Sequence, residues 1–283
     1  MQARLSLLLL FVLLGAGWTL PAVAQSADRV FVQIDYVAVP EGGETDYLAV
    51  EREIWKPIHQ ERVRAGLIED WVVLEARLAT TTSAYNYLTL TIFEDFAQLE
   101  SAIPGSIVAK AHPDADTEVM MDRTLDSRDI LHTEVWELVA TVGEGGANRP
   151  EAARYEVLNF MMAPPTATAE YEATEQDVWG PIHQARIDNE TLSGWAVYRL
   201  VLPAGTAVNY NYLTIDYYTD LGDYAEPVDE PLMRRAHNAS AAEVEAMVAR
   251  TEASRVIYKS ELWNVVESVG DVRVTSAASP GGE

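Results

Sequence analysis

The stretch Glu51–Arg62, Glu-Arg-Glu-Ile-Trp-Lys-Pro-Ile-His-Gln-Glu-Arg, recurs later in the chain as Glu175–Arg186, Glu-Gln-Asp-Val-Trp-Gly-Pro-Ile-His-Gln-Ala-Arg. Tryptophan and histidine are scarce in this sequence, with 7 and 5 occurrences, so their return at one spacing indicates an internal duplication. The residues kept in both copies are Glu51/Glu175, Trp55/Trp179, Pro57/Pro181, Ile58/Ile182, His59/His183, Gln60/Gln184 and Arg62/Arg186.

The spacing of the two copies, 124 residues, is too long for a solenoid unit and fits a small domain. Two further words repeat at nearly the same spacing. Tyr85-Asn86-Tyr87-Leu88-Thr89 returns as Tyr210-Asn211-Tyr212-Leu213-Thr214, and Ala111-His112 returns as Ala236-His237. The chain therefore contains two related halves.

The first residues have the pattern of a secretory signal. Arg4 is followed by the apolar run Leu5–Leu14, and Pro21-Ala22-Val23-Ala24 ends in a small-x-small pattern. We expect residues 1–24 to be removed and the protein to be secreted or periplasmic. No later run approaches the roughly 20 apolar residues that a membrane span needs, so no membrane association is expected after removal.

Composition excludes several kinds of partner and stabilisation. The formal net charge is −24, and such a surface repels phosphate backbones, so nucleic acid is not an expected partner. There is no cysteine, so neither disulfides nor cysteine metal sites are available. Stability must come from a hydrophobic core.

Each half has the predicted element order βαββαβ, with strands indicated by β-branched and aromatic runs and helices by apolar residues at three- and four-residue steps. The expected division is a first repeat over 25–141, a linker over 142–153 centred on Gly143–Pro150, a second repeat over 154–268 and a polar tail over 269–283. In the first half the strands are expected at Arg29–Val39, Asp70–Leu78, Tyr85–Phe93 and His132–Thr141, and the helices at 46–65, 94–102 and 115–129. In the second half the strands are expected at Arg154–Ala163, Trp195–Leu202, Tyr210–Tyr218 and Val256–Val266, and the helices at 169–190 and 231–251.

A βαββαβ unit forms a four-stranded antiparallel sheet with both helices on one face, the ferredoxin-like arrangement. The uncovered faces of two such units can bury each other, so we predict an α+β protein of two tandem repeats whose sheets pack face to face as an intramolecular pseudo-dimer. In this order of elements the chain resembles the dimeric α+β barrel superfamily in an internally duplicated form.

The resemblance implies a range of activities and no single reaction. The superfamily includes monooxygenases that need little or no cofactor, isomerases, and haem-degrading or haem-binding proteins. The repeated Trp-x-Pro-Ile-His-Gln words are similar to those of secreted bacterial proteins of unknown function, so the cofactor stays unassigned.

The repeated polar and aromatic residues are the candidate site. Glu51, Trp55, His59 and Arg62 share one helix face, and Pro57 should interrupt the helix just before the histidine. A histidine can transfer protons, asparagine and tyrosine can hold an oxyanion, and tryptophan can stack on a flat ligand. The predicted catalytic residues are His59 and His183. The predicted binding residues are Trp55, Arg62, Tyr85, Asn86, Tyr87, His112, Trp179, Arg186, Tyr210, Asn211, Tyr212 and His237.

Three functions remain open from the sequence. The first is a protein that binds a small organic ligand, with flat aromatic molecules included, in two equivalent pockets between helices and sheet; further self-association is left open. The second is a cofactor-poor monooxygenase or isomerase. The third is a structural or interaction domain, in which the histidines and tryptophans are core residues. No metal site is predicted, because His59, His112 and Glu53, like His183, His237 and Asp177, lack compact ligand spacing.

Overall fold

The computed structural model describes residues 29–78, 83–100, 102–143, 149–205 and 208–269. The predicted signal at 1–24, most of the turn Thr80–Ser83, most of the linker centre Gly143–Pro150 and the tail Ser276–Glu283 lie outside these residues. Within the described chain, eight strands and eight α-helices follow one another in the same order in both halves.

The strands are built from β-branched and aromatic residues, whose side chains pack well on a pleated surface. Their bounds are β1 Phe31–Ala38, β2 Asp70–Leu78, β3 Tyr87–Phe93, β4 Asp129–Gly143, β5 Tyr155–Met162, β6 Gly194–Leu202, β7 Tyr212–Tyr218 and β8 Val256–Ser268.

The helices lie between the strands of each half in the predicted places but are more divided than the pattern indicates. Their bounds are α1 Glu44–Val50, α2 Lys56–Arg64, α3 Gly105–Ala111, α4 Thr117–Ser127, α5 Thr168–Thr174, α6 Gly180–Asp188, α7 Glu230–His237 and α8 Ala241–Ser254. Single π-helical turns, Glu51–Trp55 and Glu175–Trp179, join α1 to α2 and α5 to α6.

The structure differs from the expected helices at two places in the first half. The expected interruption at Pro104-Gly105 is instead the start of α3, because proline serves as the N-cap of a helix that then runs to Ala111. The segment after β3 forms only a 3₁₀ turn, Phe96–Glu100, where a longer helix was expected.

The strands close into one antiparallel barrel in the order β1-β3-β2-β8-β5-β7-β6-β4. The four strands of the first half are adjacent in the order β4-β1-β3-β2, and those of the second half repeat it as β8-β5-β7-β6. This closed barrel confirms the resemblance to a dimeric α+β barrel and is consistent with a duplicated ferredoxin-like fold.

The halves meet edge to edge, which the prediction of face-to-face packing did not include. Strand β2 pairs with β8, from Val72 opposite Ser268 to Leu78 opposite Leu262, and β4 pairs with β6. We call these two pairings the seams. Because each seam hydrogen-bonds the outer strands of both halves, the barrel has no free sheet edge.

The barrel interior, called the lumen below, is filled by alternate residues of the strands. On β1, for example, Val32, Ile34 and Tyr36 face the lumen, whereas Phe31 and Val37 face the helices outside. Each half therefore has its own apolar layer between sheet and helices, and the two halves share one central core.

Glu156 is a buried carboxylate within this core. It is paired across the sheet with Trp263 and Tyr217, both lumen residues, and no described residue makes a hydrogen bond to its oxygens. Its nearest charge is the guanidinium of Arg149, whose Nε lies 3.8 Å from Oε1. Burial raises the pKa of Glu156 to about 7, against the opposing effect of Arg149.

The raised pKa of Glu156 predicts a pH dependence of stability. Between pH 4.5 and about 7 the folded protein keeps a proton that the unfolded chain has released, so the free energy of unfolding falls as the pH rises through this window. Glu156→Gln should remove this effect and raise the free energy of unfolding at pH 8 by up to about 3 kcal/mol, with little change at pH 4.

Urea unfolding at pH 4, 6 and 8 measures this difference. The exposed Glu245 gives a matched control, Glu245→Gln, for which no change in the pH slope is expected. Equal slopes for the wild type and Glu156→Gln would show that the carboxylate does not hold the proton.

Candidate functional site

The repeated word forms the same irregular helix in both halves. The Lys56 N–H donates to the Glu51 carbonyl, five residues back, and the Gly180 N–H does the same to Glu175. Proline follows immediately in each copy and has no N–H to continue the α-helical pattern. The predicted interruption before the histidine thus takes the form of a π turn, a feature that is frequent at functional sites.

Each repeated histidine is enclosed by two tryptophans. The His59 ring stacks on Trp71 of β2 with centroids 4.7 Å apart, and Trp55 lies 5.8 Å away on the other side. His183 has the same relation to Trp195 at 4.7 Å and to Trp179 at 5.7 Å. His59 is 6% exposed and His183 is 5% exposed. The histidines therefore lie inside the layer between helix and sheet.

The neighbouring arginines keep these imidazoles neutral. Arg62 Nη1 lies 3.0 Å from His59 Nδ1, and because a guanidinium can only donate, Nδ1 is the acceptor. Burial, and secondarily the Arg62 charge, lowers the pKa of His59 well below its ordinary value. The pKa of His183 is lowered in the same way by burial and by Arg186. At neutral pH both histidines are therefore in the neutral form and lack the second ring proton that an imidazolium would give to a substrate.

The tryptophans of the repeated word connect it to the last helix of each half. Trp55 Nε1 donates to Thr124 Oγ1 at 3.2 Å, and Trp179 Nε1 donates to Thr251 Oγ1 at 3.2 Å. Below each tryptophan a buried ion pair, Glu51 with Arg128 and Glu175 with Arg255, joins the same two helices. This arrangement fixes the outer wall of the helical layer.

The third helix of each half is attached through the other histidine pair. His112 Nε2 lies 2.9 Å from the Ile54 carbonyl, and His237 Nε2 lies 2.9 Å from that of Val178. Because a carbonyl can only accept, both Nε2 atoms carry the proton. No described residue makes a hydrogen bond to His112 Nδ1, so this atom remains an acceptor.

The structure places the repeated asparagines away from these histidines. Asn86 accepts from the Val39 N–H at 2.8 Å and donates to the Val39 carbonyl at 2.9 Å, extending the pairing of β1 with β3. Asn211 makes the same two bonds to Ala163. Both amides are therefore fully used by the main chain.

The tyrosines of the second repeated word divide between the two faces of the sheet. Tyr87 faces the helices and donates to Glu75 at 3.0 Å, while Tyr85 packs in the lumen. The predicted strand Tyr85–Phe93 would place these two side chains on one face, and this is wrong because β3 begins only at Tyr87. Tyr212 and Tyr210 repeat the division, with Tyr212 donating to Glu172 at 2.8 Å.

A cavity of about 440 Å³ lies among the helices of the first half, with Trp55 and His112 on its wall. It is bounded by the π turn, α2, α3 and α4, and not by the sheet. Apart from Trp55, His112 and Thr124 its wall is mostly apolar, formed by Ile54, Ile58, Ile103, Val108, Met120 and Met121.

In the second half the depression at the same place, of about 590 Å³, is lined by Val228, Met233, Val244 and Val248, and neither Trp179 nor His237 lies on its wall. Aligning the His112 and His237 helices puts Leu232 and Met233 opposite Ile107 and Val108. Both are buried against Val178 and Ile182 together with Val244.

Val244 lies on α8, the last helix of the second half. If the threonines that accept the indole N–H are aligned, Val244 is equivalent to Thr117, the first residue of α4. Helix α8 has 14 residues and α4 has 11, and the extra residues precede Val244. Val244 thus takes the place of Thr117, which lines the first-half cavity, and its side chain is buried in the cluster with Val178 and Ile182.

Comparisons with known proteins find similarity of structure only. A scan against protein-family models and a search of curated protein sequences found no match. An anthrone oxidase-like protein is 12% identical, with a TM-score of 0.47, covering 86% of this chain and 93% of its own. A haem-binding protein from Thermus thermophilus is 9% identical, with a TM-score of 0.45, and the match covers 85% of this chain and 92% of that protein. A mutant chlorite dismutase from Candidatus Nitrospira defluvii is 8% identical, with a TM-score of 0.44, covering 86% and 92%.

Likeness at this level transfers no activity, and the fold assignment here stands on the strand order of the barrel itself. Within the described residues, no group of three or more His, Asp or Glu side chains is placed to hold a metal. In that same part of the chain no helix has the length and apolar character to span a bilayer.

Several residues of the cavity and of the barrel interior could not be found by comparing the two halves at the spacing of the repeated words. The cavity residues Val108 and Met121 differ from their second-half equivalents, so a search for identity between copies passes over them. The buried acids Glu134 and Glu261 do repeat, but at a spacing enlarged by the longer α8. Alignment of the Glu-x-Trp words at Glu134 and Glu261 would have found them.

The enclosed histidines predict a spectroscopic result. The ring resonances of His59 and His183 should still hold their neutral-form positions in NMR spectra at pH 6.5, where an ordinary imidazole is half protonated, since burial lowers the pKa of each well below that value. His59→Gln and His183→Gln assign the two signals.

A linked effect on stability is expected. The unfolded chain takes up these two protons near pH 6.5 and the folded protein does not, so the contribution of the two histidines to the free energy of unfolding should fall on acidification below about pH 6.5, opposite in direction to the contribution of Glu156. Comparison of each histidine variant with the wild type separates the two effects. A titration midpoint near 6.5 for either ring would contradict the enclosed arrangement.

Proposed function

We propose that this protein binds a small, largely apolar organic molecule in the helical cavity of its first half. The observation that carries the proposal is the asymmetry between the halves: the first repeat has a cavity of about 440 Å³ with Trp55 and His112 on its wall, whereas Trp179 and His237 do not line the equivalent depression of the second repeat. A volume of this size is within the range of small-molecule sites.

The wall of the cavity indicates the class of ligand. Trp55 provides a flat aromatic surface, and methionines such as Met120 and Met121 adapt to irregular apolar shapes. His112 Nδ1 supplies one hydrogen-bond acceptor at the wall. These features favour a flat aromatic molecule with a single hydroxyl or N–H group over a charged or strongly polar one.

The proposed binding role differs from acid–base catalysis by the repeated histidines. His59 is neutral and enclosed between Trp55 and Trp71, so it supports the cavity wall from behind. In this proposal His59, one of the two predicted catalytic residues, positions Trp55, and the ligand is held by Trp55, His112 and the apolar side chains of α3 and α4.

Exchange of one residue between the halves tests the site. Val108→Met introduces the second-half side chain into the cavity, and we expect calorimetric binding of 2-naphthol to weaken at least about ten-fold, since the added side chain takes up ligand volume. The reciprocal Met233→Val leaves the first-half cavity intact and should bind like the wild type.

Thermal unfolding of both variants checks that they remain folded. Equal affinity of Val108→Met and the wild type for 2-naphthol would show that the cavity is not the binding site. Naphthalene, which lacks the hydroxyl, should bind more weakly than 2-naphthol if His112 accepts a hydrogen bond.

We further propose that the mature protein acts outside the cytoplasm, on the strength of the signal pattern in residues 1–24. Expressed with these residues in a Gram-negative host, the chain should appear in the periplasmic fraction with an intact mass that corresponds to a start at Gln25. A full-length mass in the cytoplasmic fraction would contradict this location.

A further inference from the structure

One end of the lumen contains a cluster of ionisable side chains in an otherwise apolar core. At this end β1 and β5 finish and β4 and β8 begin. We name it the mouth cluster. It consists of Tyr36, Tyr85, Glu134, Tyr210, Lys259 and Glu261.

The two carboxylates of the mouth cluster are buried and held by phenol groups. Glu134, 2% exposed, accepts from Tyr36 at 2.6 Å and from Tyr210 at 2.5 Å. Glu261, 1% exposed, accepts from Tyr85 at 2.9 Å and 3.0 Å. Since Tyr85 and Glu134 belong to the first half and Tyr210 and Glu261 to the second, each acid is held across the boundary between the repeats.

Lys259 is the cation of the mouth cluster. Its Nζ lies 3.2 Å from Glu261 Oε1 and donates to the Tyr85 hydroxyl. The same atom is 4.0 Å from the centroid of the Phe160 ring and 5.1 Å from that of Tyr85. Aromatic rings replace much of the water around this amine, and desolvation lowers the pKa of Lys259, although Glu261 and Glu134 act in the opposite direction.

The amine remains within reach of solvent. The Lys259 side chain is 11% exposed, and Tyr85 and Tyr210 beside it are only half-buried. In the first half the position equivalent to Lys259 is His132, which stacks on Tyr36 at 4.0 Å and is 44% exposed. The cluster therefore opens at the end of the barrel and is separate from the helical cavity.

We propose that Lys259 is a nucleophilic amine that captures a small aldehyde or ketone as an imine at the mouth of the barrel. Neither the family resemblance nor the binding function proposed above includes this step. An amine next to a hydroxyl and a carboxylate that can take up its proton is the arrangement that carbonyl capture requires.

The reaction balances without an oxidant or a metal. The Lys259 ammonium passes one proton to Glu261, its nitrogen forms a bond to the carbonyl carbon as the carbon–oxygen π bond breaks, and the carbonyl oxygen becomes a hydroxyl group by taking up a second proton from that nitrogen. Glu261 then returns a proton to that hydroxyl, the carbon–oxygen bond breaks, and water leaves. The product is a protonated imine on Lys259. Tyr85, which touches both Nζ and Glu261, is placed to relay the proton.

The chain is well suited to a direct test, because Lys259 is one of only three lysines, with Lys56 and Lys110. Lys110 is exposed on α3, and Lys56 is ion-paired with Glu267 at 2.7 Å. The protein is treated with acetaldehyde and sodium cyanoborohydride at pH 7, and the reduced adduct is located by peptide mass mapping over time.

We expect Lys259 to be alkylated at least about ten times faster than Lys56 or Lys110, since Glu261 and the Tyr85 hydroxyl are placed to assist its proton transfers. Lys259→Arg keeps the positive charge and should abolish the fast labelling, whereas Lys110→Arg should leave it unchanged. Tyr85→Phe should slow labelling of Lys259 while the affinity for 2-naphthol in the helical cavity stays as in the wild type.

Preferential labelling of Lys110, with Lys259 unmodified, would overturn the proposal and leave Lys259 as the counter-ion of Glu261. If Lys259→Arg does not fold, the mapping of the wild-type protein decides by itself. The two proposals fail separately, because loss of naphthol binding concerns the helical cavity and loss of fast alkylation concerns only the mouth cluster.

Discussion

The hydrogen bonds of the two seams are the constraint on which the rest of this structure depends. Each half alone would expose two sheet edges and one apolar sheet face. Pairing β2 with β8 and β4 with β6 removes all four edges at once and turns the two exposed faces into one lumen. The helices must then lie outside the barrel. The buried acids Glu134 and Glu261 come together at one end because their strands, β4 and β8, both begin there, opposite the ends of β1 and β5.

The local sequence pattern predicted the individual strands but not the two seams that pair the strands of one half with those of the other. The bounds of β2 are those predicted, Asp70–Leu78, because a run of β-branched and aromatic residues starts directly after Asp70. The seams are contacts between residues almost 200 positions apart in the case of β2 and β8, and no local pattern specifies their register. The π turn has a local cause in Pro57. The position of the His59 ring could not be predicted in the same way, because it is set by stacking on Trp71, which belongs to strand β2.

The candidate site shows the limit of arguing from identity between copies. Residues that are the same in both halves, such as Asn86 and Asn211, do the same structural work in both. The features that distinguish the halves come from positions that differ: Val108 against Met233, Thr117 against Val244, and His132 against Lys259. A duplicated chain can therefore line the same place with different side chains in its two copies.

The ring of strands has a further consequence for how the chain can be cut and rejoined. Strands β4 and β5, which the linker connects, are separated in the barrel by β6 and β7, and β8 and β1 are separated in the same way by β2 and β3. A connector similar in length to residues 144–154 would therefore span from Ser268 to Phe31. Circular permutation with new termini between the halves should give the same barrel, since the order of the repeats along the chain is immaterial to a closed ring.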